Sequence, residues 1–338
     1  QYTAEPGRFA VIPPGINGHV FRPYTHPPRD ALSREIRSTL TDELRRFTVA
    51  RSKPMILALS RPDRRKNISA LVRAYGADAQ LRQVANLAIF AGIRRDIREM
   101  PDNEREVLTD MLLLLDRYDL YGRMAIPKRH DYETEVPELY RIAARSHGVF
   151  VNPALTEPFG LTLIEAAASG LPVVATDDGG PTAIIGSCRN GLLVDALDAD
   201  KMADALDQVV ADPKAWRRRS KAGIRGAYGF SWSGHVERYL TPLRRRLRPK
   251  VRRRRSEAPR HPLVLADRLL VCDIDNTLTG DHAALDRFRE WLEAHRGEVA
   301  FGIATGRVLS NTIRALKEWE IPRPDVLITA CLLYTSDA

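Results

Sequence analysis

The stretch Glu157-Pro-Phe-Gly-Leu-Thr-Leu-Ile-Glu165 places two carboxylates eight positions apart, on either side of a Pro-Phe-Gly turn. A helix that begins near Gly160 carries Glu165 on its second turn and leaves Glu157 in the preceding loop. Free backbone N–H groups and the positive end of a helix dipole then lie beside a carboxylate. This combination suits a ligand that has both a phosphate and several hydroxyl groups, as a nucleotide sugar does.

Short apolar runs alternate with helical patterns on both sides of this segment. The predicted strands are 9–12, 54–59, 87–91, 148–151, 172–175 and a run ending at Val194. The predicted helices are 31–50, 103–116, 160–169 and 199–211. Such α/β alternation is typical of a parallel sheet with helices on both faces. A second, shorter α/β unit follows, with predicted strands at 269–273, 299–303 and 326–329 and predicted helices at 283–295 and 308–319.

The formal net charge of +9 comes from one stretch. Residues 244–255 hold nine Arg and Lys residues and no acidic residue, so the rest of the chain is formally neutral. A run of like charges with Pro249, Pro259 and Pro262 nearby is typical of a solvated linker. Binding of nucleic acid by this run is the alternative, but a single local run does not make the folded domains basic. We therefore expect partners other than nucleic acid.

Length and cysteine usage set further bounds. The 338 residues suffice for about two domains, and the start at Gln1 in the middle of a pattern predicts a fragment. No apolar run approaches the roughly 20 residues of a membrane span, and no signal-peptide pattern opens the chain. Cys188, Cys272 and Cys331 are scattered without metal-ligand spacing. These features favour a reducing, cytoplasmic location without a membrane partner.

Two cations follow the apolar run 54–59. Arg61 and Lys66 lie five positions apart, and ligands of open parallel sheets bind beyond the carboxyl ends of the strands. Arg binds phosphate oxygens bidentately and Lys binds them as a point charge. The pair is therefore a candidate clamp for a diphosphate. A solvated basic loop is the alternative, and this stretch alone does not decide between them.

The paired glutamates extend this candidate site. The amides of Gly160, Leu161 and Thr162 are predicted free donors at the helix start. Glu165 could accept from both hydroxyls of a ribose, and Glu157 from hydroxyls of a hexose. The alternative makes Glu157 a capping carboxylate and Glu165 a surface helix residue. The neighbouring cations and the strand context favour the ligand-binding interpretation.

Residues 1–243 resemble the C-terminal, donor-binding domain of retaining glycosyltransferases with the two-Rossmann (GT-B) architecture, and within them the sucrose-phosphate synthases. The residues that carry this resemblance are Val11-Ile-Pro-Pro-Gly15, Ser60-Arg-Pro-Asp63, Lys66-Asn67, Pro127-Lys128, Val136-Pro137, Tyr140, the run from Asn152 to Ala166, Gly179-Gly-Pro181 and Ser231-Trp-Ser233. The paired glutamates occur across many such transferases, whereas the longer run and the neighbouring motifs are specific to a much smaller group of them.

The resemblance implies transfer of glucose from UDP-glucose to fructose 6-phosphate with retention, and no cofactor or metal for that step. It assigns the diphosphate clamp to Arg61 and Lys66, and the ribose to Glu165. It assigns the donor hexose and β-phosphate to Glu157 and to the amides of Phe159 to Leu161. Arg61, Lys66 and Glu157 are therefore the predicted catalytic residues, and no side chain is an obvious general base.

In the second unit, Asp273 and Asp275 follow one predicted strand, and Thr305 and Arg307 follow the next. One carboxylate can attack phosphorus while the other exchanges a proton with the leaving group, and both suit Mg²⁺. A plain turn is the alternative for the pair alone. With Thr305-Gly-Arg307, the unit resembles the haloacid-dehalogenase (HAD) phosphatases, in their sucrose-phosphatase-like branch.

This second resemblance implies Asp273 as nucleophile, Asp275 as acid/base, both aspartates as Mg²⁺ ligands, and sucrose 6-phosphate as substrate. Thr305 is implied to bind phosphate, and we expect the adjacent Arg307 to join it. A non-catalytic unit that docks a separate sucrose phosphatase is one rival. Another is a different retaining transferase, such as a mannosylfructose-phosphate synthase that uses GDP-mannose.

Together these patterns predict five segments. They are the end of an N-terminal GT-B domain with its connection (1–50), the donor-binding Rossmann domain (51–243), a basic linker (244–262), a truncated HAD domain (263–330) and a non-native tail (331–338). The tail is predicted because the last eight residues depart from the family's pattern. We expect the fragment itself to run neither reaction.

Overall fold

The computed structural model describes residues 10–28, 30–247, 266–275, 277–329 and 332–335. This part of the chain divides into two compact units. One contains residues 16–231, and the other contains residues from 232 onward together with residues up to 15. The predicted linker lies outside the described residues from position 248 onward, and its first four residues continue a helix.

The strands are β1 (Ala10–Val11), β2 (Met55–Ser60), β3 (Asn86–Ala91), β4 (Met124–Ala125), β5 (Val149–Asn152), β6 (Val173–Thr176), β7 (Gly191–Val194), β8 (Arg268–Cys272), β9 (Val299–Thr305), β10 (Val326–Thr329) and β11 (Leu332–Thr335). The helices are α1 (Ala31–Arg45), α2 (Ile68–Ala77), α3 (Ala79–Val84), α4 (Asp102–Arg117), α5 (Glu135–Arg145), α6 (Leu161–Ala168), α7 (Gly180–Cys188), α8 (Ala199–Ala211), α9 (Pro213–Ala227), α10 (Trp232–Leu247), α11 (His282–Ala294) and α12 (Leu309–Glu318).

The first unit is built on a six-stranded parallel sheet in the order β4-β3-β2-β5-β6-β7. The chain runs outward from β2 to β4, then returns and runs outward on the other side from β5 to β7. At such a reversal the loops diverge and leave a crevice beyond the carboxyl ends of the two central strands. The predicted α/β class and parallel sheet are confirmed.

The burial of the strands explains why the sequence predicted them. All six residues of β3 and all four of β5 and β6 are buried, because helices cover both faces of the sheet. Each predicted strand and nearly every predicted helix lies within two residues of its observed bounds. The exception is the helix predicted at 31–50, which ends at Arg45.

Residues 16–50, part of the segment predicted to hold the end of a preceding domain and its connection to this one, contribute side chains to the core of the first unit. Phe21, Leu40 and Leu44 are buried in the same cluster as the sheet residues. Arg37 on α1 donates to Glu138 Oε2 on α5 at 3.1 Å, and Arg141 donates to Glu138 Oε1 at 2.8 Å. This buried ion-pair network fastens α1 to the domain.

The second unit has a five-stranded sheet in the order β1-β11-β10-β9-β8. Strands β8, β9 and β10 are parallel, whereas β11 is antiparallel to both β10 and β1. The segment 9–12, predicted as the first strand of the chain, thus contributes Ala10–Val11 to this sheet. Residues 332–335, inside the predicted non-native tail, extend it. The origin of that tail stays a prediction.

Within the described ranges, no helix is long and apolar enough to span a membrane. Cys188 and Cys272 are free thiols, and burial raises the pKa of Cys188 to about 11. A thiol with such a pKa stays protonated near neutral pH, so Cys188 acts as a packing residue rather than a nucleophile.

Candidate active site

The candidate site lies where β2 and β5 run side by side at the reversal of strand order. After β2, Asp63 caps a short 3₁₀ turn through its side chain, which accepts from Arg65 N at 2.8 Å. The turn ends at Asn67, whose left-handed backbone (φ 52°) is anchored by a side-chain bond to Ala196 O at 2.8 Å. These contacts fix the position of Lys66.

Lys66 and Glu157 form an ion pair across the crevice, with 2.7 Å between Lys66 Nζ and Glu157 Oε2. Asn152, the last residue of β5, donates to the same carboxylate oxygen at 3.1 Å. The Lys66 and Glu157 side chains are 29% and 13% exposed. The ammonium has three donors and Glu157 uses one of them, which leaves two for a phosphate.

The backbone of Glu157 is bound to the loop after β6. Glu157 N donates to Asp178 O at 3.2 Å, and Gly180 N donates to Glu157 O at 2.8 Å. A Cβ on Gly179 would lie 2.3 Å from Glu157 O, and one on Gly180 would lie 2.1 Å from Phe159 O. The two glycines are therefore required by the close approach of one loop to the other, and this pairing positions Glu157.

Helix α6 begins at Leu161, directly after the half-buried Phe159 and a left-handed Gly160 with φ +96°. Within the described part of the chain, no hydrogen-bond acceptor faces the backbone N–H groups of Leu161 and Thr162. These amides and the helix dipole favour an anion at this point. The sequence predicted this arrangement of loop, turn and helix start.

Glu165 lies on the second turn of α6 and is only 3% exposed. Its Oε1 accepts from Tyr132 Oη at 2.7 Å, and its Oε2 accepts from Tyr140 Oη at 3.1 Å. Burial raises the pKa of Glu165, and the two phenol hydrogen bonds offset this in part. The structure thus gives both carboxylate oxygens tyrosine donors at the positions predicted for ribose hydroxyls.

Arg61, the other half of the predicted clamp, follows β2 with an exposed side chain. It makes no side-chain hydrogen bond or ion pair to the residues that the structure describes. Lys128 is also exposed, and it donates to Arg95 O at 3.0 Å. The structure brings Lys66, Glu157 and the α6 amides together, whereas Glu165 lies deeper under Tyr132.

In the second unit, β8 and β9 are adjacent and parallel, so the residues that follow them share one edge of the sheet. Asp273 Oδ1 accepts from Ile274 N at 2.7 Å. Arg307 donates from Nε to both carboxylate oxygens of Asp275 at 3.1 Å, and its predicted phosphate contact stays a prediction. Thr305 ends β9 and is 8% exposed, and its Oγ1 accepts from Arg307 N at 3.3 Å.

This ion pair changes the chemistry of Asp275. Its hydrogen bonds from Arg307 lower the pKa of Asp275, so the carboxylate is held in its ionised form. An acid/base residue has to carry a proton for part of its cycle. Among the described residues, no group of three or more His, Cys, Asp and Glu side chains is arranged to hold a metal ion.

Three site residues were not assigned a role from the sequence. Asn152, Tyr132 and Tyr140 hold the two glutamates, and each lies on a different element from the glutamate it binds. Asn152 and Tyr140 belong to the pattern that carried the resemblance, so the signal was present without a role. Tyr132 left no such signal. It lies in a loop, 33 positions before Glu165 in the sequence, so no local spacing relates the two residues.

Comparison with known proteins agrees with this geometry. The family described as "Glycosyl transferases group 1" matches residues 40–226, which is more than half of the chain. The family described as "Sucrose-6F-phosphate phosphohydrolase" matches residues 266–331. The two matches fall on the two compact units.

Individual relatives are similar over more than half of the chain. A sucrose-phosphate synthase of Zea mays is 53% identical over 199 residues, which are 59% of this chain and 18% of that protein. Sucrose-phosphate synthase 4 of Arabidopsis thaliana is 45% identical over 246 residues, which are 69% of this chain and 23% of that protein. The chain thus spans about a fifth of the length of these relatives.

A solved structure of a sucrose-phosphate synthase is also similar to this chain. The sucrose-phosphate synthase of Thermosynechococcus elongatus aligns with a TM-score of 0.54 and 29% sequence identity. The alignment covers 70% of this chain and 52% of that one.

Proposed function

The chain belongs to the group 1 glycosyl transferases, and on that premise we propose that residues 16–231 bind UDP-glucose as the donor half of a sucrose-phosphate synthase. The whole protein transfers glucose to fructose 6-phosphate with retention at the anomeric carbon. The similarity to sucrose-phosphate synthases supports this choice of donor and acceptor. We also propose that the protein works in the cytoplasm.

The observation that carries the proposal is the ion pair of Lys66 with Glu157 beside the amide donors of Leu161 and Thr162. A diphosphate placed there meets the remaining ammonium donors, the helix dipole and the exposed Arg61. A hexose on that diphosphate lies against Glu157, whose Oε1 accepts no hydrogen bond from the described residues. One small volume therefore offers both the positive charge and the hydroxyl acceptor that a UDP-sugar needs.

The same contacts define the reaction. The bond between the anomeric carbon and the β-phosphate oxygen breaks, and its electron pair goes to the leaving UDP, whose charge Arg61 and Lys66 stabilise. The acceptor hydroxyl oxygen bonds to the anomeric carbon and passes its proton to a phosphate oxygen of the donor. Glu157 is not the base, because its carboxylate is ion-paired with Lys66 and hydrogen-bonded by Asn152.

Donor choice can be tested by calorimetric titration of this chain with UDP-glucose and, separately, GDP-mannose. We expect UDP-glucose to bind at least about tenfold more tightly, a difference of roughly 1.4 kcal/mol. Tighter binding of GDP-mannose would replace the proposal with a mannosyl transferase such as a mannosylfructose-phosphate synthase. Glucose transfer to fructose 6-phosphate is then to be measured on the full-length gene product.

For the second unit we propose removal of phosphate from sucrose 6-phosphate, as its similarity to a sucrose-6F-phosphate phosphohydrolase supports. The Asp273 carboxylate attacks phosphorus, the bond from phosphorus to the sugar oxygen breaks, and that oxygen takes a proton from Asp275. Water then hydrolyses the aspartyl-phosphate. Asp275 can carry the proton only after Arg307 releases it, since their ion pair keeps the carboxylate ionised.

Magnesium fits this donor set by its chemistry. Mg²⁺ binds one or two protein carboxylates and completes its shell with waters and substrate phosphates, so Asp273 would suffice as a side-chain ligand, and Asp275 could join it only while ionised and released by Arg307. Bound there, it would neutralise charge on the phosphoryl group. We therefore propose Mg²⁺ for the phosphatase unit and no cofactor for glycosyl transfer.

Phosphate release from sucrose 6-phosphate by the full-length gene product separates catalysis from docking. We expect release that is abolished by Asp273→Asn and preserved by Asp286→Asn, a substitution on the exposed side of α11. If the protein releases no phosphate but binds a separate sucrose phosphatase, the docking role replaces this proposal.

A further inference from the structure

We propose that Tyr132 occupies the place of a sugar hydroxyl on Glu165 and leaves it when the nucleoside of the donor binds, whereas Tyr140 stays and positions the carboxylate. The inference rests on the proposed function, in which Glu165 binds ribose. It adds a gate to that subsite, which moderates the affinity for ligands that carry ribose hydroxyls.

Tyrosine hydroxyls already occupy the positions on Glu165 at which the ribose hydroxyls are proposed to bind. One carboxylate oxygen accepts from Tyr132 at 2.7 Å and the other from Tyr140 at 3.1 Å. Only 3% of Glu165 is exposed, and among the described residues no cation pairs with it. Each carboxylate oxygen can accept a second hydrogen bond, so burial and not saturation bars a ribose, and a phenol has to move aside before both hydroxyls can reach the carboxylate.

The two tyrosines differ in what holds them. Tyr140 lies in α5 and is fully buried, with its ring 6.1 Å from that of Phe21 and 5.3 Å from that of Phe150. Tyr132 precedes α5 and is 58% exposed, and its ring lies 6.4 Å from that of Phe21. Moving Tyr132 costs one hydrogen bond and little apolar burial, whereas moving Tyr140 would open the core.

The backbone on both sides of Tyr132 is anchored. Asp131 Oδ1 accepts from Thr134 N at 2.8 Å, and Asp131 N donates to Glu135 Oε2 at 2.7 Å. These bonds tie the segment to the first turn of α5. The motion is therefore a rotation of the Tyr132 side chain toward solvent rather than an opening of the loop.

Phenol and sugar hydroxyls are chemically equivalent at this position. Each donates one O–H to a carboxylate oxygen, so the exchange keeps the buried charge hydrogen-bonded with and without ligand. A ligand that lacks the ribose hydroxyls gains nothing by displacing Tyr132. The gate thus lowers the affinity for ribonucleotides by the cost of this exchange, leaves that of deoxy analogues unchanged, and so reduces the advantage of ribonucleotides over deoxy analogues.

The experiment compares calorimetric titrations of the chain with UDP and with 2′,3′-dideoxyuridine diphosphate. Tyr132→Phe removes the competing hydroxyl, and we expect it to tighten UDP binding about three- to tenfold, the usual worth of one hydrogen bond. The dideoxy analogue should show no gain. Tyr140→Phe should weaken UDP binding about tenfold, because it removes the donor that holds the carboxylate.

Tyr121→Phe is the matched control. Tyr121 is 63% exposed and donates to Asp116 Oδ1 at 2.9 Å, a phenol–carboxylate bond in no contact with Glu165. We expect it to leave both affinities unchanged.

The outcomes separate the two ideas. If wild type binds UDP and Tyr132→Phe binds it equally or more weakly, Tyr132 is not displaced and the gate is wrong. If Tyr132→Phe binds UDP and the dideoxy analogue more tightly by the same factor, the gain does not come from hydroxyl exchange and the gate is again wrong. If neither wild type nor Tyr132→Phe binds UDP, the proposed function itself fails, and the gate with it.

Discussion

Lys66 Nζ lies 2.7 Å from Glu157 Oε2, and this ion pair joins the loop after β2 to the loop after β5. The two residues are 91 positions apart and meet where the strand order of the sheet reverses. The cation proposed to bind phosphate and the carboxylate proposed to bind sugar thus hold each other in place. Under that proposal, each residue of the pair is both a ligand contact and a positioning group for the other.

Replacing Lys66 tests this pair. Lys66→Met leaves Glu157 with Asn152 as its side-chain donor and removes a cation from the diphosphate. We expect the dissociation constant for UDP-glucose to rise at least about tenfold, or roughly 1.4 kcal/mol, in a calorimetric titration. Arg65→Met is the control, because the Arg65 side chain is 79% exposed and binds Asp63. Equal losses from both substitutions would show that general positive charge, not the pair, holds the donor.

The buried Glu165 predicts a pH dependence of stability. Burial raises its pKa above the ordinary 4.5, so the folded chain binds this proton more tightly than the unfolded chain does. The carboxyl group therefore contributes stability in acid that is lost as pH rises through the raised pKa. We expect wild type to lose thermal stability relative to Glu165→Gln as pH rises from 4.5 to about 7. Parallel melting curves over that range would contradict this prediction.

Two glycines in one segment predict opposite effects on stability. Gly179 has φ +100° and its Cβ would lie 2.3 Å from Glu157 O, whereas Gly186 in α7 has nothing within 4 Å of its Cβ. Gly179→Ala should destabilise the fold by about 2 kcal/mol or more and weaken UDP-glucose binding, because Glu157 must shift. Gly186→Ala should stabilise the fold by about 0.5–1 kcal/mol. Chemical denaturation measures both.

The buried Glu138 binds Arg37 on α1 and Arg141 on α5, so replacing it tests how strongly this ion-pair network holds α1 to the domain. Burial raises its pKa, but the hydrogen bonds and charges of Arg141 and Arg37 outweigh this and lower it. Glu138→Gln should cost about 3 kcal/mol of unfolding free energy at neutral pH, because it leaves the mostly buried Arg141 short of its counter-charge. The wild-type advantage should fall as pH drops below 4.5, since a carboxylate with a lowered pKa contributes stability only above that range.

Glu43→Gln is the matched control for Glu138→Gln. Glu43 pairs with the 72% exposed Arg46 on the surface of α1, so we expect a change within about 0.5 kcal/mol at every pH. A similar small change for Glu138→Gln in denaturant titrations would show that the buried network does not hold α1.

The sequence predicted the sheet because burial of its strands forces apolar runs. It also predicted that Glu157 precedes α6 and that Glu165 lies on its second turn, since both follow from local spacing. The helices that it predicted did not include α2, α3, α5, α7, α9 and α10. Helix α7 opens with Gly180-Pro181, which reads as a turn, and the arginine-rich α9 shows a weak apolar pattern.

The contacts of the site were less predictable than its members. Lys66 and Glu157 were each assigned to a different part of the ligand, and spacing along the chain cannot show that two such residues bind each other. Likewise, Arg307 was predicted to bind phosphate, and spacing along the chain could not show that it also binds Asp275. These are distances across the fold between groups of opposite charge, and hydrophobic periodicity carries no information about them.

The backbone pairing of Glu157 with residues 178–180 has a consequence for how the protein can change. Two backbone hydrogen bonds and two closely packed glycines hold the turn after β6 against the turn after β5, so we expect the two turns to move together. The Asp177 side chain takes no part in this pairing, which uses backbone atoms of Asp178 and Gly180 and the side-chain bond from Thr156 to Asp178. Adding or deleting one residue there would move the Glu157 carboxylate out of register with the Lys66 ammonium. This fold therefore keeps the length of the loop fixed, together with glycine at positions 179 and 180.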